Sequence, residues 1–283
     1  ILELGGKDPM IVCDDADLEQ AVHNALVGTL TSAGQLCMAA ERIYVFAAVH
    51  DEFVAMAARI VGQLRQGPPL GDQRVDVGAM TMPGQVDIVE RLVDDAVARG
   101  ARAIVGGKRS PSGQFFQPTI LVDVDHSMAI MREETFGPVM AIMRVRDEHE
   151  AIALANDCAY GLSSSVFTRD HARGERIARQ IVAGSTVIND FAMHYMAQDL
   201  PFGGVRGSGF GRLNGPEGLR GMCNVKAVVA DRLPFHNALK MYPVRPAVYD
   251  TARGVFKLLY SGSLVGRARG LVDIGRALLR RRR

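Results

Sequence analysis

Short apolar runs alternate with stretches of helical periodicity along most of the chain. Residues 10–13 (Met-Ile-Val-Cys) form an unbroken apolar run and predict a buried strand. Asp14, Asp15 and Asp17 follow as N-cap and first-turn acids, and Leu18, Ala21, Val22, Ala25 and Leu26 then recur at helical spacing. This predicts an amphipathic helix that ends near Thr31. The same reading gives strands over 42–46, 103–105, 115–124, 139–145, 163–168 and 186–190. Helices are predicted over 51–64, 86–99, 148–156 and 171–182, and residues 66–76, rich in Gly and Pro, form a surface loop. Strands and helices alternating at this spacing predict an α/β fold with a mostly parallel sheet flanked by helices. After Gly211 the alternation stops, leaving one short helix over 215–221 and a strand over 224–231.

From Thr251 onward the chain changes in kind, with nine basic residues (Arg253, Lys257, Arg267, Arg269, Arg276 and Arg280 to Arg283) against one acid, Asp273. Leu264, Val265, Ala268, Leu271, Val272, Leu278 and Leu279 fall roughly along one helical face, with arginines mostly on the other. A basic amphipathic helix of this kind can lie on an anionic membrane surface, dock on another part of the protein, or stay a solvated terminus. The formal net charge of the whole chain is only +2, so the remainder is acidic.

The 283 residues are 48% hydrophobic and 23% charged, with no Trp, which suits a folded domain with an aliphatic core. Cys13, Cys37, Cys158 and Cys223 lie far apart, which suggests neither a disulfide framework nor a zinc site and fits a reducing, cytoplasmic setting. Seven histidines lack ligand spacing, so no metal is expected, and nothing in the pattern asks for a nucleic-acid partner. No apolar run is long enough to span a membrane.

The candidate chemistry centres on Gly34-Gln35-Leu36-Cys37, where a small, turn-permissive stretch (Thr31 to Gly34) presents one cysteine. A thiol so placed is a candidate nucleophile, although a free cysteine more often just packs. Glu3-Leu4-Gly5-Gly6-Lys7 lies upstream, with its glutamate 34 positions before the thiol. Three further segments follow: Glu133-Glu134-Thr135-Phe136-Gly137-Pro138-Val139, Ile188-Asn189-Asp190, and Pro201-Phe202-Gly203-Gly204 running into Gly207-Ser208-Gly209-Phe210-Gly211-Arg212. Taken together and in this order they resemble the aldehyde dehydrogenase superfamily over roughly residues 1–232.

The resemblance implies a catalytic domain over 1–221, an oligomerisation strand over 222–232 and a basic C-terminal extension over 233–283. A nucleotide-binding domain would precede Glu3, so the sequence is expected to be the C-terminal portion of a longer protein. By resemblance Cys37 attacks the aldehyde carbonyl, hydride passes to NAD or NADP, and Glu3 activates the water that hydrolyses the resulting thioester. Glu134 and Phe136, with Leu4 and Gly5, match the positions that hold the cofactor. Thr135 stands where an aliphatic residue is common, a departure expected to matter little. Leu36, Met38, Phe191 and Met196 are expected to line an apolar substrate pocket, and Asn189 to fix backbone geometry beside it. The glycines of 203–211 do not follow the Gly-x-Gly-x-x-Gly fingerprint and are read as tight backbone turns.

An apolar aliphatic or aromatic aldehyde is the expected substrate. The alternatives are a succinate semialdehyde or coenzyme A-acylating semialdehyde dehydrogenase, and a non-catalytic assembly or binding protein that keeps the fold. A homo-oligomer, dimer or tetramer, is expected, with peripheral membrane contact through the basic tail.

Overall fold

The computed structural model describes residues 1–68, 74–111, 113–230, 232 and 246–280. Within the first unit, Ile1–Asn224, the strands β1 (Leu2–Glu3), β2 (Asp8–Val12), β3 (Ala40–Phe46), β4 (Arg102–Val105), β5 (Thr119–Val122), β6 (Val139–Val145), β7 (Ser165–Phe167), β8 (Val187–Ile188) and β9 (Gly209–Phe210) follow in chain order. Seven of them make one sheet in the order β4-β5-β6-β3-β2-β7-β8, parallel throughout except for the β4–β5 edge. The expected mostly parallel sheet is therefore present. Every residue of β2, β3 and β5 is buried, as strands covered on both faces must be.

Helices α1 (Leu18–Leu30), α2 (His50–Val61), α3 (Pro83–Ala98), α4 (Glu148–Asn156) and α5 (His171–Ala178) cover the two faces. Met10 and Val12 pack with Ala21, Val22, Phe53 and Ala57 of α1 and α2. Their neighbours Ile11 and Cys13 point the other way, into Val89, Leu92, Ala151 and Ile177 of α3, α4 and α5. Strand periodicity thus divides the core into two layers. Three helices begin at aspartates whose carboxylates accept backbone N–H groups: Asp17 from Gln20 at 3.2 Å, Asp147 from Glu150 at 2.9 Å and Asp170 from Arg173 at 3.2 Å. Asp15 caps no helix, and instead accepts from the Thr168 hydroxyl at 2.8 Å, tying the loop after β2 to the end of β7.

Two short helices, α6 (Met193–Met196) and α7 (Gly215–Gly221), complete this unit. The ladder of β1 with β9, Leu2 opposite Phe210 and Glu3 opposite Gly209, is too short to leave a periodic trace in the sequence.

The second unit, Val225–Arg283, contains α8 (Pro246–Tyr260) and α9 (Leu264–Arg280), so the expected helical tail is a pair of helices. They meet through small residues: a Cβ on Gly254 would fall 2.7 Å from the Gly270 carbonyl oxygen, and one on Gly270 would fall 2.6 Å from that of Gly254. Lys257 Nζ donates to Asp273 Oδ2 at 2.8 Å across the pair. Leu264, Val265, Leu271, Val272, Leu278 and Leu279 point outward, as do Tyr249, Phe256, Leu259 and Tyr260 of α8. Among the described residues no helix is long and apolar enough to cross a membrane.

The strand expected over 224–231 is not formed within the single chain. Residues 224–230 carry no regular structure, and Val225, Val228 and Val229 are exposed. A strand exists only by exchanging hydrogen bonds with a neighbour, and here none pairs with it among the described residues. Parts of that expectation (residue 231), of the 66–76 loop (69–73) and of the basic extension (233–245 and 281–283) lie outside the described residues.

Candidate active site

Cys37 is presented by a break in the chain immediately after α1. Ser32 and Ala33 take left-handed backbone angles, and Gly34 follows at φ +76°. Gly34 is required by a close approach, since a Cβ there would sit 2.1 Å from the carbonyl oxygen of Gly137. Gln35 braces the turn, with Nε2 donating to the Ser32 carbonyl at 2.6 Å and Oε1 accepting from Thr81 N–H at 2.7 Å. On its other side Cys37 is met by Gly6, where a Cβ would fall 2.2 Å from the Cys37 carbonyl oxygen. The Glu3–Lys7 segment and the thiol turn, distant in sequence, are thus in backbone contact.

The resting thiol is half-buried, and burial pushes its pKa up. The Asp8 and Glu3 carboxylates add to the rise, while the N–H groups of Cys37 and Met38 oppose it. In these surroundings desolvation favours the neutral thiol.

Glu3 is held by the β1–β9 ladder and Leu4 N–H donates to the Ser208 carbonyl at 3.2 Å. Both of its carboxylate oxygens are buried without a hydrogen-bond partner. Burial raises its pKa, against the lowering pull of the Arg212 guanidinium. A buried acceptor with open lone pairs and a raised pKa is poised to take a proton from water.

Glu134 lies against the opposite side of the Gly5-Gly6 turn. Its Oε1 accepts Gly6 N–H at 3.0 Å, and a Cβ on Gly5 would be 2.4 Å from its Oε2. Burial raises the Glu134 pKa as well. Phe136, half-buried, is held at φ +47°. Behind this loop lies a buried cluster that the sequence reading missed. Lys7 Nζ donates to Glu41 Oε2 at 2.6 Å and to Thr135 Oγ1 at 2.8 Å, while Glu41 accepts the N–H groups of Thr135 and Phe136, each at 2.8 Å. Thr135, expected to matter little, is thus a buried acceptor for Lys7.

Met38 and Phe191 are buried together in the α1-side core and line one recess with Asp8 and Ser163. Leu36 packs at the edge of that core. Met196 is 64% exposed on α6. Leu4 is likewise exposed, while Gly5 abuts Glu134. Asn189 clamps the ends of β7 and β8, with Oδ1 accepting Thr168 N–H and Nδ2 donating to the Thr168 carbonyl, both at 2.9 Å. Among the described residues no group of His, Cys, Asp and Glu could hold a metal ion.

Comparison with known proteins gives one consistent answer. A 4,4'-diapolycopene aldehyde oxidase from Methylomonas is 41% identical over 260 residues, covering 92% of this chain and 48% of the relative. A succinate-semialdehyde dehydrogenase [NADP(+)] 1 from Mycobacterium bovis is 41% identical over 229 residues, covering 81% and 50%. Among solved structures, the betaine aldehyde dehydrogenase of Staphylococcus aureus in complex with NAD+ superposes with a TM-score of 0.73 at 40% identity, covering 77% of this chain and 44% of that one. The chain spans about half the length of the curated relatives it matches. The aldehyde dehydrogenase family model matches residues 1–228, and on sequence and fold alike this chain belongs to the aldehyde dehydrogenase family.

Proposed function

We propose that the protein containing this chain oxidises an aldehyde to a carboxylic acid with NAD(P)+, and that Cys37 and Glu3 carry the chemistry. The observation that carries this reading is the Glu3 carboxylate, buried and unpartnered, close enough to the Cys37 thiol to raise its pKa. Cys37 Sγ adds to the aldehyde carbon to give a thiohemiacetal. Loss of hydride from that carbon leaves a thioester on the sulfur. Glu3 then takes a proton from water as the water oxygen attacks the acyl carbon, and the C–S bond breaks to release acid and thiol.

The residues present fit the nicotinamide end of a dinucleotide. Glu134 offers acceptor oxygens beside a glycine whose Cβ would fill the space, and Phe136 offers an apolar ring next to it. Bound there, the cofactor supplies the hydride acceptor. Glu134 would accept ribose hydroxyls and Phe136 would flank the nicotinamide.

The apolar Leu36, Met38 and Phe191 around the thiol support an apolar aldehyde as substrate. Faster turnover of succinate semialdehyde than of decanal by the full-length protein would overturn it.

Two associations complete the proposal. Residues 224–230, with three exposed valines, pair with a second copy. Val228→Asp should lower the mass of the assembly by light scattering, and an unchanged mass would refute the pairing. On α9, Arg267 borders the outward apolar face on one side, and Arg269 and Arg276 border the other, the arrangement that suits an anionic lipid surface. Co-sedimentation with phosphatidylserine vesicles but not phosphatidylcholine vesicles tests it, and equal partition into neither refutes it.

A further inference from the structure

We infer that Glu41 is a positioning residue for cofactor binding: its carboxylate sets the conformation of the loop that carries Glu134 and Phe136. The inference rests on the reading of Glu134 and Phe136 as cofactor-binding residues.

Glu41 stands in β3, four residues after the thiol, at a position where the surrounding strand is wholly buried. A carboxylate is costly to bury and is retained only when its lone pairs are filled. Here three donors fill them. Oε1 accepts Phe136 N–H at 2.8 Å, while Oε2 accepts Thr135 N–H at 2.8 Å and Lys7 Nζ at 2.6 Å. Lys7 is itself fully buried, and its ammonium also reaches the Thr135 hydroxyl at 2.8 Å. Two consecutive backbone N–H groups aimed at one carboxylate define the local path of the chain. That path includes Phe136 at φ +47°, an angle that a bulky side chain takes only when its surroundings impose it.

Glu134 immediately precedes the held segment, and its Oε1 meets Gly6 N–H at 3.0 Å, one residue from Lys7. Lys7 and Glu41 therefore tie the Gly5-Gly6 turn and the Glu134–Phe136 loop to the same point. Other supports reach the loop from elsewhere: Gln85 Nε2 donates to the Thr135 carbonyl at 2.9 Å, and Arg91 pairs with Glu133 at 2.6 Å on the surface. Neither reaches the two N–H groups that Glu41 fixes.

Glutamine at position 41 is the informative variant. It keeps shape but presents an amide NH2 where Oε1 or Oε2 accepted, so at least one loop N–H faces a donor instead of an acceptor. In the full-length protein, Glu41→Gln should weaken NAD+ binding at least tenfold by calorimetry and raise KM for NAD+ in step. KM for the aldehyde and the alkylation rate of Cys37 should stay near wild type. Lys7→Met/Glu41→Gln removes both charges and keeps the donor conflict, and it is read in place of the single variant if that one does not fold. If Glu41 only neutralises Lys7, the double variant will bind NAD+ as tightly as wild type, which overturns the inference. Glu134→Ala is the control. Loss of NAD+ affinity in Glu134→Ala with none in Glu41→Gln sinks the positioning role alone. Unchanged affinity in both sinks the cofactor reading of the loop and this inference with it.

Discussion

Replacing Asp8 by asparagine should make the protein more stable at alkaline pH and remove one component of its pH dependence. Asp8 is buried at the start of β2, where Ser163 N–H donates to its Oδ2 at 3.0 Å and the Ser163 hydroxyl also contacts it. Burial dominates and lifts its pKa from 3.8 to about 8, against the lowering pull of those Ser163 bonds and the Arg42 guanidinium. The sign follows directly. Between these two values the folded protein keeps the Asp8 proton while the unfolded chain has lost it, so raising the pH favours unfolding. At about 1.4 kcal/mol per pH unit, the loss between about pH 5.5 and about pH 7.5 is on the order of 2–3 kcal/mol, and it levels off above about pH 8. Asparagine cannot ionise. The difference in unfolding free energy, Asp8→Asn minus wild type, should grow by about that amount across the window, measured by urea denaturation of the full-length protein. Because the Asp8 charge also raises the Cys37 thiol, the variant should alkylate faster at Cys37 above about pH 8. A pH slope identical in the two proteins would refute the argument and show that Asp8 is ionised in the folded state at neutral pH.

Three further outcomes follow from the geometry. Gly34→Ala places a Cβ 2.1 Å from the Gly137 carbonyl oxygen at a left-handed backbone angle. It should cost about 1–3 kcal/mol from strain alone and depress activity with it, while wild-type stability in urea would contradict the close approach. Lys7→Met leaves the buried Glu41 carboxylate without its cation and should cost about 3–5 kcal/mol. A melting temperature unchanged by Lys7→Met would show that Glu41 is protonated or solvated. In a Cys223→Ser background, iodoacetamide should modify Cys37 well before Cys13, which is fully buried with a pKa pushed up to about 12. Equal rates would place Cys37 among the structural cysteines.

Much of this architecture is legible in the residue pattern, and the gaps have physical causes. The apolar run at 10–13 and the helical spacing after Asp17 mark β2 and α1 because burial on both faces of a sheet and on one face of a helix leaves distinct periods. Asp17 reads as a cap for the same local reason. Strand β5 reads four residues too early, at Phe115, because residues 115–117 pair only locally, through the isolated Phe116–Arg109 bridge, while the ladder to β6 runs over residues 119–121. The β1–β9 ladder is two residues long and has no period to read. The motif glycines announce close approach without naming the partner, and Gly5 meeting Glu134 or Gly34 meeting Gly137 is visible only in three dimensions. Lys7, Glu41 and Asp8 are charged residues beside apolar strands, which sequence alone would place at a solvent edge. Their burial depends on partners as far away as Thr135 and Ser163. The strand expected at 224–231 depends on a neighbour that a single chain does not supply.

The most direct test of the central claim is the pre-steady-state release of NAD(P)H by full-length Glu3→Gln, beside wild type and Cys37→Ala, with decanal as substrate. If Cys37 forms the acyl enzyme and Glu3 activates the hydrolytic water, Glu3→Gln should show a burst near one equivalent per active site followed by turnover slowed at least a hundredfold. Cys37→Ala should show neither burst nor turnover. Wild-type turnover by Glu3→Gln, or NAD(P)H formed by Cys37→Ala, would contradict the account.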